Sequence, residues 1–158
     1  MTVPDDADRL VIRPRGIFLR AVVAGAATGL RSTAAMAALI DGRAQGLPAA
    51  LMRPQARTAA RVAVAGELVI DKLPTTPSRL ETRGLAARVA LASAAAVVLA
   101  RGNNRPVLPN VLAAGTMALV AARVGHDLRV MAGTHLPPLA VAVAEDAVAL
   151  GLAAATRG

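Results

Sequence analysis

The sequence predicts an all-α membrane protein, a polytopic helical bundle with about five spanning segments. Three observations predict it. Apolar residues make up 55% of the chain, above the roughly 45–50% of ordinary soluble domains, and the mean hydropathy is +0.52. The apolar residues fall into five runs, each close to the roughly 20 residues that cross a bilayer as a helix. No strand-like alternation competes with helix.

The length of 158 residues suggests one unit. A polar segment over residues 1–15 precedes a single helical domain over 16–158. The first run, Ile17 to Ile40, follows Pro14, which a first helical turn tolerates. Arg31-Ser32-Thr33 interrupts it, so the first helix is open to a break near Gly29–Arg31. A re-entrant turn there would change the span count. A loop from Asp41 to Pro54 contains Gly42, Gly46 and Pro48. The second run, Gln55 to Leu73, stops ahead of Pro74, where helices end. Ser78 and Glu81 have capping-box spacing and announce the third run, Gly84 to Ala100. Gly102-Asn103-Asn104-Arg105-Pro106 reads as a tight polar turn. The fourth run spans Val107 to Gly125. The fifth spans Leu139 to Thr156, behind Pro137-Pro138.

Small residues recur at four-residue spacing. Ala21, Gly25 and Gly29 form one stripe, which contains a GxxxG. Ala92, Ala96 and Ala100 form a second, Ala114, Ala118 and Ala122 a third, and Ala147, Gly151 and Ala155 a fourth. Such stripes let helix backbones approach closely in lipid, where van der Waals contact is a main source of association. Homo-oligomerisation through them is one expectation.

Lys and Arg number 18 against 10 acids, for a net charge of +8. Nucleic-acid binders cluster such charge in a patch, and single-strand binders add stacking aromatics. Here the arginines are dispersed between apolar runs and Phe18 is the only aromatic residue, so nucleic acid is not an expected partner. Arg flanking apolar runs points to the lipid bilayer. Against this, no Trp or Tyr forms an aromatic belt, and alanine is about a quarter of the chain. A soluble Ala-rich bundle is the competing class. Asp5, Asp6 and Asp8 stand where a signal peptide carries positive charge. With five spans and the N-terminus inside, inside segments hold Arg9, Arg13, Arg15, Lys72, Arg79, Arg83, Arg88, Arg123 and Arg129. Outside segments hold Arg43, Arg53, Arg57, Arg101, Arg105 and Arg157. That bias favours an inside N-terminus in an inner (plasma) membrane.

The informative residues are ionisable groups within apolar runs, which cost a few kcal/mol each at mid-bilayer and persist when they pair or line a water path. Thr28, Arg31 and Ser32 share one side of a continuous helix. Alternatively, Arg31 sits at a helix end and snorkels to the headgroups. Glu67 and Asp71 lie four apart on one face, about 6 Å apart by helical rise, with Lys72 beside them. Arg31 is their natural partner, as are Arg79 and Arg83 if the next loop folds back. Asp71 and Lys72 at the interface, with only Glu67 deep, is the other reading. Glu145 and Asp146 are adjacent, about 100° apart around a helix, so one is free to pair with Arg123 or Arg129. His126 and His135 fall in the loop before the fifth run with no recognised ligand spacing. No metal site and no cofactor is expected, and no nucleophile elbow, P-loop or dinucleotide fingerprint is present.

The segments Gly25-Ala-Ala-Thr-Gly-Leu-Arg31-Ser32, Gly66-Glu67-Leu-Val-Ile-Asp71-Lys72-Leu-Pro74 with Pro77-Ser78-Arg79, and Ala144-Glu145-Asp146 resemble the signatures of a bacterial membrane-protein family, domain of unknown function 4126. The resemblance spans roughly Gly16 to Leu152. It implies a helical inner-membrane protein and no activity.

The leading functional expectation is a small ion- or solute-transporting protein. Embedded charges by default suggest a path, and a broken first helix would add a dipole end as a binding element. Arg31 would bind or gate a small anionic group, Glu67 and Asp71 would carry a cation or proton, and Glu145 or Asp146 would complete the path. The alternative is a structural or scaffolding membrane subunit whose charges are interhelical pairs. A lipid-headgroup enzyme using Arg79, Arg83 and Arg88 ranks third, because no catalytic nucleophile accompanies them.

Overall fold

The computed structural model describes residues 14–70 and 81–157. Those residues are all helical apart from turns, in the order α1 (Pro14–Leu30), α2 (Ala34–Asp41), a 3₁₀ turn (Ala49–Met52), α3 (Pro54–Ile70), α4 (Thr82–Gly102), α5 (Val107–Ala132) and α6 (Pro138–Ala155). Three helices, α4, α5 and α6, are long and apolar enough to cross a membrane. That is fewer than the five expected. The third, fourth and fifth runs become these helices, and the first two runs do not qualify.

The first run fails because it folds back on itself. Its helix stops at Leu30, and Arg31–Thr33 make a turn before α2. The direction of each helix follows from its neighbours. Gly25 lies against Ala114, Gly29 against Ala118 and Ala122, and Leu30 reaches Gly125, so α1 runs parallel to α5. Gly42 lies beside Arg157 and Gly46 beside Val98 and Gly102. The chain leaving α2 has therefore returned to the end where α4 and α6 finish. Together α1 and α2 form a re-entrant hairpin. We call its open side the basal end and its Arg31–Thr33 turn the tip.

Two features hold the hairpin in place. A Cβ at Gly25 or Gly29 would collide with the α5 backbone at Ala114 or Ala118, so glycine lets these helices touch. The backbone of Gly46, at φ 88°, leaves no room for a side chain against Val98 and Gly102 and anchors the returning strand of the hairpin to α4. The core is correspondingly fine-grained. Ala21, Ala92, Ala96, Ala114 and Ala118 pack as one cluster. Ile17, Ala24, Ala27, Ala35, Leu39, Val98 and Leu99 belong to a second.

The second run gives α3, which is 17 residues long and runs antiparallel to α2, since Asp41 meets Arg57 and Arg61 at one end and Thr33 meets Glu67 at the other. The fourth run extends past its expected end at Gly125. Helix α5 continues to Ala132, so His126 and Asp127 are helical rather than in a loop. An i,i+4 pair between Arg123 and Asp127, 3.2 Å apart, favours that extra turn. Glu81 is the N-cap position of α4 and makes no side-chain cap bond; Ser78, its expected capping partner, lies outside the described residues.

Candidate functional site

In the turn that leads into α2, the backbone N–H groups of Ser32 and of the N-cap residue Thr33 need partners from outside the helix. The side chain of Glu67, reaching across from α3, supplies what they lack. Its Oε1 accepts from the Ser32 backbone N–H at 2.7 Å. Its Oε2 accepts from the Thr33 N–H at 3.0 Å and from the Thr33 hydroxyl at 2.6 Å. A carboxylate at a helix N-terminus is favoured by amide donors and by the macrodipole. Glu67 is thus a cap supplied in trans, and it fixes the tip against α3.

Arg31 sits in the same turn and is 2% exposed. Its guanidinium forms an ion pair with Asp146 of α6 and lies 3.4 Å from the Glu67 backbone carbonyl. Asp146 is about 12 Å along α6 from its start at Pro138, at 1.5 Å per residue. The pair is therefore set back from both ends of α6, in the interior, where desolvation makes an isolated charge costly. Three elements converge here: the hairpin tip, α3 and α6. Thr28, one turn earlier on α1, is fully buried, and its Oγ1 has no hydrogen-bond partner among the described residues.

Adjacent Glu145 points elsewhere. It accepts from Arg129 of α5, Nε at 3.0 Å and Nη2 at 2.5 Å, one of the two partners expected for it. The structure therefore brings together Arg31, Ser32, Glu67 and Asp146, with Thr28 nearby, and sends Glu145 to a separate contact. Two expectations are corrected. Thr28 and Ser32 do not share a helix face, because α1 ends between them. The Arg31 guanidinium pairs with Asp146 and bonds the backbone carbonyl of Glu67, whose carboxylate serves the tip amides; the expected pairing with Asp71 falls outside the described residues. Asp71, Lys72 and Arg79 lie outside the described residues. Arg83 is exposed while Arg88 is buried, so these two do not present a common phosphate-holding face.

Sequence reasoning passed over Thr33, which donates twice to Glu67, and Asp41, which gathers three arginines. Asp41 accepts from Arg61 at 2.5 Å and lies 3.7 Å from Arg57 and 3.5 Å from Arg157. Hydrogen bonding from Arg61 holds its carboxyl below the usual carboxylate range, against some desolvation and with help from all three charges. Arg57 and Arg61 are an i,i+4 pair whose coincidence with a helix-ending Asp was the available signal. No group of three or more His, Asp or Glu suited to a metal ion occurs among the described residues. His135 lies exposed in the turn after α5, its Nδ1 2.6 Å from the Thr134 hydroxyl.

Charge is divided unequally between the two ends. Among the described residues, Arg20, Arg43, Arg53, Arg57, Arg61, Arg101, Arg105 and Arg157 lie in the segments at the basal end, and three of them, Arg57, Arg61 and Arg157, meet Asp41. Toward the tip end, Arg83, Arg123 and Arg129 are matched by Glu81, Asp127 and Glu145. The molecule belongs, by its helices, among membrane-protein-like helical bundles. No protein-family model, no curated protein and no solved structure matches the chain.

Proposed function

We propose that this chain is a small membrane transport protein for an ion or an anionic solute, and that the hairpin tip is its substrate-contacting site. The observation that carries this reading is the Glu67 cap. Two backbone amides and a hydroxyl at a helix break form an anion-binding position, and the Glu67 carboxylate from a neighbouring helix fills it. Withdrawal or protonation of that carboxylate would open the position to a ligand's anionic group, with Arg31 beside it. Discontinuous helices whose N-termini point at substrate are a recurring device of transporters. The three segments singled out in the sequence each contribute a residue to this one place: Arg31, Glu67 and Asp146.

The charge asymmetry supports an orientation with the basal end in the cytoplasm of a multi-pass inner-membrane protein, since cytoplasmic segments carry excess Lys and Arg. Because the hairpin enters and leaves at the same end, the start of α1 and the 42–53 loop share that side.

The test is flux through liposomes containing purified protein, with chloride and proton gradients read by entrapped dyes. Glu67→Gln and Glu67→Ala are expected to change the rate at least severalfold. Wild-type flux from both, in an assay where the parent is active, overturns the assignment. One observation favours a second reading. Arg31 and Asp146 form a buried pair, which is also how a scaffolding subunit would lock α6 to the hairpin. That reading expects no flux in any assay and full assembly when the pair is replaced by apolar residues of like volume.

A further inference from the structure

We infer that the groove between α2, α3 and α6 holds an acyl chain of an anionic phospholipid whose phosphate rests on Arg61 and Arg157. The groove has a volume of about 330 Å³. Its walls are apolar: Ala37 and Ala38 from α2, Val64 and Leu68 from α3, Leu150 and Ala153 from α6. Leu150 is 41% exposed, so the groove opens toward the surroundings of the bundle rather than closing as a core void. At its basal mouth stand Asp41, Arg61 and Arg157. An apolar trough ending in guanidinium groups has the polarity of a phospholipid, chain inward and phosphate at the interface.

The mouth has donors to spare. Three guanidinium groups offer about fifteen N–H donors, whereas the Asp41 carboxylate has about four acceptor sites. Arg57 Nε is buried with no hydrogen-bond partner among the described residues. Asp41 therefore gathers Arg57, Arg61 and Arg157 without neutralising them, and the two that line the groove, Arg61 and Arg157, present a net positive charge to whatever fills the mouth. Guanidinium forks match phosphate oxygens bidentately. Anionic lipid attracts cationic residues at this level with about 1 kcal/mol for each one near the surface. A zwitterionic lipid lacks that net attraction, and a free phosphate lacks the chain that the walls are shaped for. The inference needs a bilayer but not transport, so it stands or falls apart from the flux assay.

The experiment is native mass spectrometry of the full chain released from mixed micelles. These contain phosphatidylglycerol and phosphatidylcholine of the same acyl chains. Retained phosphatidylglycerol is expected to exceed phosphatidylcholine about tenfold. Arg61→Gln with Arg157→Gln, both exposed positions, is expected to bring the two lipids to parity. Ala65→Leu, on the exposed rim of the groove, is expected to reduce retention of both lipids with the arginines intact. Arg83→Gln with Arg123→Gln at the opposite end is expected to leave the preference unchanged. Inorganic phosphate at millimolar concentration is expected not to displace the lipid. Equal retention of both lipids by the parent chain overturns the inference. So does an undiminished preference in the Arg61/Arg157 variant, or displacement by phosphate alone, which would mark a headgroup site without a chain.

Discussion

Arg31 and Asp146 stand 115 positions apart in the chain and meet in its interior. Removing one partner of a buried pair typically costs about 3–5 kcal/mol, and Arg31 keeps the neutral Glu67 carbonyl among its described contacts as a partial replacement. Asp146→Asn is therefore expected to lower the thermal unfolding midpoint in detergent sharply. Arg31→Met with Asp146→Leu is expected to recover most of it, because apolar replacement of a whole pair is often near neutral. Recovery of flux in that double variant would separate assembly from transport. Glu67 behaves differently. In Glu67→Gln one amide oxygen can still accept at the tip, but the amide nitrogen now faces a donor, so the cap weakens by about 1–2 kcal/mol. Asp41 lies outside the spanning helices, and its folded carboxyl titrates below its ordinary value, chiefly through Arg61. The stabilisation from that cluster is thus fully present above about pH 4 and is lost as the pH falls through the lowered value. Unfolding midpoints of the parent and Asp41→Asn are expected to differ at pH 7 and to converge as the pH is taken below the lowered value. Of these residues, Arg31, Glu67 and Asp146 were legible as embedded charges. Their pairing was not, since nothing in local spacing connects position 31 with position 146.

At the scale of elements, the small-residue stripes divide into two kinds. Those of α1, α4 and α5 lie buried against one another. On α6, Ala147, Gly151 and Ala155 are exposed, and a Cβ at Gly151 would meet nothing within 4 Å. Glycine-to-alanine replacement therefore has opposite signs at two positions with the same sequence pattern. Gly25→Ala forces α1 off α5 and is expected to cost about 1–3 kcal/mol. Gly151→Ala is expected to be neutral in a monomer or stabilising by up to about 1 kcal/mol through helix propensity. Thermal unfolding of both variants in the same detergent checks this, and a loss of oligomer in Gly151→Leu would show that α6 packs against a second copy. The positions of α4, α5 and α6 could be read from hydropathy alone, because each run is bounded by Pro, Gly or Asn. The break at Arg31-Ser32-Thr33 was legible too, with a re-entrant turn as one reading of it, but the choice between turning back and continuing was not. Ile17 to Ile40 has the length of one span, and the choice to turn back is made by distant partners, Glu67 at the tip and Gly102 at the base.

For the whole molecule, the hairpin alters which side each loop occupies. Five spans place the N-terminal segment and the 42–53 loop on opposite sides of the membrane. A re-entrant α1–α2 places them together. The chain contains no cysteine, so single substitutions report cleanly. Thr2→Cys and Ala50→Cys are expected to react with an impermeant maleimide from the same side of oriented vesicles, and Thr134→Cys from the other. Opposite labelling of positions 2 and 50 would make the first run a crossing and dissolve the basal cluster of arginines as a shared surface. Net charge was available from the sequence, but its concentration at one end was not, because it depends on that single reversal.

The hairpin also leaves the ribosome long before the helix it leans on. Gly25 precedes its neighbour Ala114 by nearly ninety residues, which at about 5–20 residues per second is a wait of roughly 5–20 seconds. During that interval its first helix has neither α4 nor α5 to cover its glycines, and Arg31 has no Asp146. Nascent chains truncated before α6 should therefore carry an accessible position 31, and the insertion machinery must shelter this segment until the last helix is made.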